Sequence, residues 1–148
     1  MCIRDRCNDD HVVPIGKARV RREGSDITVI SWGTPVHWSL RAANKSAKEG
    51  ISVEVIDLRS IRPWDFDTVA ASVRKTGKVI IVHEDHITQG FGAEIAATIS
   101  RHLFEWLDAP IYRVAAKDIP IGFSKILERA TLPYEEDVLN AIEEVARY

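Results

Sequence analysis

His83-Glu84-Asp85-His86 gathers four side chains able to bind metal or move protons, and Gly90-Phe91-Gly92 follows after a short loop. Each chemistry these residues suggest makes a demand on spacing. A zinc peptidase helix carries H-E-x-x-H, so that positions i and i+4 share a face. Here only two residues separate the histidines, they close an apolar run, and no third ligand stands at suitable spacing. A dinucleotide fingerprint requires G-x-G-x-x-G in a tight turn after a strand. The third glycine position is Ile95, and the loop is too long. No Gly-x-Ser-x-Gly elbow occurs, and both cysteines, Cys2 and Cys7, precede the body of the chain. What remains is backbone chemistry. Glycines at a helix start allow close approach and turn free N–H groups outward, toward an anion or a partner's carboxylate.

Other polar candidates read as structure. Asp57, Arg59, Asp65 and Asp67 have the character of caps and local ion pairs, and Arg19, Arg21 and Arg22 that of a solvated strand edge. Four tryptophans, Trp32, Trp38, Trp64 and Trp106, are core residues by default, but an exposed one would be an interface anchor. Trp38 is expected on the helix face opposite Leu40 and Ala43, or near its border.

The elements that must position these residues follow a repeating grammar. Residues 18–22 alternate as a half-exposed strand, and residues 27–30 form a second strand ending at Ser31. Thr34 and Pro35 open a helix with Val36, Leu40, Ala43 and Ala47 at helical spacing, closed by Gly50. Residues 53–57 are a strand, and Asp65 caps a helix that Gly77 stops. Residues 79–83 are a doubly buried strand whose helix runs over 92–107. A fifth strand over 111–115, a short helix over 124–130 and an amphipathic helix over 135–147 complete the chain. This order predicts a three-layer α/β/α domain with a five-stranded, mostly parallel sheet and an antiparallel first edge strand.

With 148 residues, 45% of them hydrophobic, the chain holds a sizeable core in one domain, residues 12–148. Residues 1–11 fit neither period and read as a disordered or artefactual lead-in. A net charge of −2 gives no nucleic-acid footprint. No apolar run approaches a membrane span, and the cysteine usage suits a reducing compartment, so a cytoplasmic location is expected.

Several stretches in order carry a resemblance. They are Pro14-Ile15-Gly16-Lys17-Ala18, Glu23-Gly24-Ser25-Asp26, and Val55-Ile56-Asp57-Leu58-Arg59-Ser60-Ile61-Arg62-Pro63-Trp64-Asp65. Thr76-Gly77, His83-Glu84, Gly90-Phe91-Gly92-Ala93-Glu94-Ile95, Ala109-Pro110 and Leu132-Pro133 continue it. From residue 12 to 148 the chain resembles the C-terminal, transketolase-type domain of the β subunit of thiamine-diphosphate-dependent 2-oxo acid dehydrogenases.

The resemblance implies that a preceding domain and an α subunit hold thiamine diphosphate and magnesium in the complete enzyme. No catalytic, cofactor-binding or metal residue is then expected in this fragment, which should be inactive alone. It implies pairing with a second β subunit and with α subunits in a heterotetramer, with His83, Glu84, Gly90, Phe91, Gly92 and Trp64 as candidate subunit contacts. It also implies docking of the lipoyl acyltransferase component near Arg147 and Tyr148. Two alternatives stand beside it. One is a free-standing domain binding a small organic anion in the crevice between residues 27–31 and 79–83, flanked by Gly33-Thr34 and Gly90 to Gly92. The other is the C-terminal domain of a different transketolase-like enzyme.

Overall fold

A computed structural model describes residues 12–148, so the reading of residues 1–11 lies outside the described part. Runs of β-branched residues make the sheet. Its strands are β1 (Arg19–Arg22), β2 (Ile27–Ser31), β3 (Val53–Asp57), β4 (Val79–His86) and β5 (Tyr112–Ala116). They lie in the order β1-β3-β2-β4-β5. β1 runs antiparallel to β3, and all other neighbours are parallel. The expected α/β/α architecture with an antiparallel first edge strand is therefore present.

Strand alternation sends Ile27, Val29, Val53, Val55, Ile80 and Val82 to one face. There they pack on α1 (Pro35–Ser46) and α5 (Glu135–Ala146) through Trp38, Ala42, Ala43, Val138 and Ile142. Ile30, Ile56, Val79 and Ile81 face the other way, onto α2 (Phe66–Thr76) and α3 (Phe91–Leu103) through Val69, Val73, Ile95 and Ile99. The short α4 (Lys125–Thr131) lies between β5 and α5 in the chain. Asp65 knits one end together, since its carboxylate accepts from Thr68 N–H at 3.2 Å, capping α2, and from Ala18 N–H at 3.1 Å.

Three expectations need correction. The buried face of α1 carries Val36, Trp38, Ser39, Ala42, Ala43 and Ser46, while Ala47 is exposed. Trp38, at 8% exposure, is core, tilted against the Tyr134 ring. The serines can go inside because their hydroxyls donate back to the Pro35 and Ala42 carbonyls at 2.9 and 3.0 Å. β4 is longer than the apolar run, because the ladder resumes past a register shift with His86 opposite Ala116. α3 ends at Leu103, and Phe104–Trp106 form a separate 3-10 turn.

Candidate functional site

β2 and β4 are neighbours, yet their following helices pack on opposite faces of the sheet. The carboxyl ends of these strands thus meet at the switch point where open α/β folds place ligands. His83 lies there, facing α3 and wholly buried. Its ring stacks on Trp32 with centroids 5.3 Å apart and planes 4° from parallel. Trp32 in turn meets Phe91 edge-on at 6.1 Å. Gly92 makes room for the histidine, since a Cβ at that position would come within 2.2 Å of His83 Nε2.

Neither ring nitrogen of His83 has a hydrogen-bond partner among the described residues. Burial pushes the imidazole below its ordinary range, with the Asp85 carboxylate opposing and the Arg113 guanidinium reinforcing the shift. The neutral ring is thus favoured. It fills space between a tryptophan and a glycine.

The crevice proposed for an organic anion is occupied by Trp32, His83 and Phe91. The start of α3 is also taken. The Asp85 carboxylate accepts from His86 N–H at 2.8 Å and also engages the Phe91 N–H, which together hold it below the usual carboxylate range. A negative side chain of the chain itself stands where the anion would bind.

The candidate contact residues separate into two groups. His83, Gly90 and Gly92 are covered by their own chain rather than presented to a partner. Glu84, Phe91 and Trp64 reach the surface. Phe91 and Trp64 line one groove of about 320 Å³ with Arg62, Phe66, Glu94 and His102. Burial and the nearby Glu128 charge push the Glu84 carboxyl above its usual range. Arg147 and Tyr148 follow α5, both exposed, with Tyr148 beside Phe104 and Pro110 on a separate groove.

Two features had no sequence signal. One is Glu54, buried at 2% exposure on β3 and joined to Lys75 and Ser72 of α2. Ser72 connects onward to Thr28, which meets Thr76 as well, both at 2.7 Å. The other is the exposure of Ile119, Ile121 and Phe123 in the loop before α4.

Among the described residues, no three His, Cys, Asp or Glu side chains converge as metal ligands. Glu54, the most buried carboxylate, is committed to its lysine, and the α3 start to Asp85. These donors do not fit a diphosphate with its metal ion.

Residues 16–138 match the family model described as the transketolase C-terminal domain. The chain is 43% identical over 137 residues to the pyruvate dehydrogenase E1 component subunit beta of Rhizobium meliloti (strain 1021), covering 93% of this chain and 30% of that protein. It is 47% identical to the mitochondrial subunit beta-1 of the same component in Arabidopsis thaliana, covering 87% of this chain and 36% of the relative. The Arabidopsis mitochondrial 2-oxoisovalerate dehydrogenase subunit beta 2 is 43% identical over 99% of this chain and 40% of its own. Among solved structures, a split-gene transketolase described as an inactive β4 tetramer superposes with a TM-score of 0.80 at 26% identity. That match covers 98% of this chain and 46% of the other. The chain thus spans less than half of each of these proteins.

Proposed function

Because the chain belongs to the transketolase C-terminal domain family, we propose that it is the C-terminal assembly domain of a 2-oxo acid dehydrogenase β subunit. The observation that carries this reading is the 43–47% identity to such subunits over 87–99% of the chain. In the complete enzyme a 2-oxo acid is decarboxylated on thiamine diphosphate and its acyl group passes to a lipoyl group. The residues present here supply shape rather than that chemistry. His83 and Trp32 lock the end of β4 against α3, and Asp65 and Asp85 set the starts of α2 and α3. The partners are a second β subunit, α subunits and the lipoyl acyltransferase component, the last near Arg147 and Tyr148. Pyruvate and 2-oxoisovalerate relatives are alike at 43% identity, so the identity favours neither 2-oxo acid.

A domain exchange tests the reading. Residues 12–148 replace the matching C-terminal part of a pyruvate dehydrogenase β subunit, which is co-expressed with its α subunit. The expected result is an assembled enzyme that decarboxylates pyruvate when given thiamine diphosphate and magnesium. A soluble chimera that does not bind the α subunit overturns the reading. The isolated chain under the same conditions should stay at background, and turnover by it would equally count against an assembly role.

A further inference from the structure

The segment joining β4 to α3 is held loosely by its backbone and tightly by its side chains. β4 pairs with β2 as far as Val82, and its ladder to β5 breaks after Val82 and resumes at His86. Among the described residues, 83–85 therefore have no register partner in either ladder. Gln89, with φ 64, and Gly90, in an extended conformation, then turn the chain into α3. Farther along, Ile95, Ile99 and Leu103 are wholly buried and fix the rest of that helix on the sheet. Residues 83–92 can thus shift while the core stays in place.

Two side chains close this segment. His83 fills the space beside Gly92 and stacks on Trp32, which meets Phe91 edge-on. Asp85 holds the Phe91 N–H, the first amide of α3. The two come together at Gly90, where a Cβ would lie 2.9 Å from His83 Cε1 and 3.3 Å from Asp85 Cγ. Imidazole and carboxylate are thus neighbours across a bare glycine, while the ring nitrogens have no partner among the described residues. Asp85 of β4 favours a proton on the ring, and Arg113 of β5 opposes it. Trp32-Gly33-Thr34 carry no charge, and Glu94 in the first turn of α3 is exposed. Glu84 responds to Glu128, and His86 acts on Asp85.

A neutral imidazole can occupy this place, but an imidazolium cannot stay buried without an acceptor. Between Trp32 and Gly92 the ring has no free path outward. The anion beside it is Asp85, and a carboxylate that turns to the ring leaves the α3 amide. We propose that His83 is a proton-operated latch on the start of α3, whose protonation draws Asp85 off the Phe91 amide and opens the first turn of the helix. The sign follows from linkage. The closed form keeps the ring neutral and the open form accepts the proton more readily, so falling pH favours opening. Phe91 lines a surface groove with Trp64 and Phe66, so one buried proton reshapes an exposed aromatic patch.

Amide exchange of the full chain, followed by NMR between about pH 7.5 and about pH 5 and corrected for its intrinsic pH dependence, tests the latch. The Phe91 and Ala93 amides bond to Asp85 and to the Gly90 carbonyl. Below the His83 midpoint their opening should increase by up to about tenfold per pH unit, while β2 and α5 amides keep their protection. His83→Phe keeps a ring against Trp32 but takes no proton, and should abolish the increase. Asp85→Asn removes the anion and should move the increase to lower pH. The proposal is overturned if wild type shows no increase, or shows it only as β2 and α5 also lose protection. An increase that survives in His83→Phe, or stays at the wild-type pH in Asp85→Asn, overturns it as well.

Discussion

Lys75 reaches down from α2 to the Glu54 carboxylate on β3, its own side chain 43% exposed while that of Glu54 is 2% exposed. Burial alone would raise the Glu54 carboxyl. The Lys75 ammonium and the Ser72 hydroxyl outweigh it and hold the group below its usual range. A carboxylate depressed in the fold contributes stability above its unfolded value, and this is lost as pH falls through the folded value. Stability should therefore decline below about pH 4.3, the ordinary glutamate value. Removing one partner of a fully buried pair costs about 3–5 kcal/mol. Lys75 keeps much of its surface in water, so Lys75→Met should cost less, about 2 kcal/mol. Urea unfolding of the variant at pH 7 measures this, and a loss below about 0.5 kcal/mol would show that Ser72 and the backbone suffice.

The Glu135 carboxylate, by contrast, pairs with Arg41 and Lys45 at 2.5 and 2.6 Å where both cations are about half exposed. Exposed pairs contribute about 0–1 kcal/mol. Glu135→Gln should accordingly lower the melting temperature only slightly, and that difference should shrink when the melt is repeated in 1 M salt.

His83 gives a second pH dependence, opposite in charge type to that of Glu54. Its imidazole is depressed by burial, so above about pH 6.5, the unfolded value, it is neutral in both states and costs nothing. As pH falls from there toward the folded value, the unfolded chain takes up the proton first and stability drops. This one proton sets a slope of at most about 1.4 kcal/mol per pH unit. Denaturant melts between pH 7 and pH 5 should show the drop, and His83→Gln should flatten it. The histidine resonances provide a direct check, for a His83 midpoint at or above 6.5 would contradict the shift.

Much of this fold was legible because its signals are local. Val79-Ile80-Ile81-Val82 can only be a doubly covered strand, and Gly50 and Gly77 end helices with positive φ. The inner face of α1 was not legible, since Ser39 and Ser46 count as polar until their hydroxyls are seen bonding to carbonyls one turn back. Glu54 gave no sign because its partners Ser72 and Lys75 come to it only through the tertiary fold. The short helix over 124–130 was legible and is present as α4, but the outward exposure of Ile119, Ile121 and Phe123 before it was not, because apolar side chains in a loop have no period to betray them. The His83 segment was legible as a family mark, but its spacing carried no hint that Trp32 would cover the ring.

Two glycines near that ring should separate strain from collision. Gly33 has φ +65 with open space where a Cβ would point, so Gly33→Ala meets only the left-handed backbone penalty, about 1–2 kcal/mol. Gly92 has no such φ, but its added methyl would strike His83 Nε2 at 2.2 Å and Cδ2 at 2.4 Å. That ring is fully buried and stacked on Trp32, so it cannot swing aside without disturbing both. Gly92→Ala should cost about 1–3 kcal/mol, the range for overpacking a core, and should shift tryptophan emission toward that of a wetter indole. Gly33→Ala should leave the emission unchanged. Because Gly92 sits on the first turn of α3 and His83 on β4, a Gly92→Ala, His83→Ala double variant should recover part of the loss. Two purely additive penalties would place the strain in the α3 backbone instead.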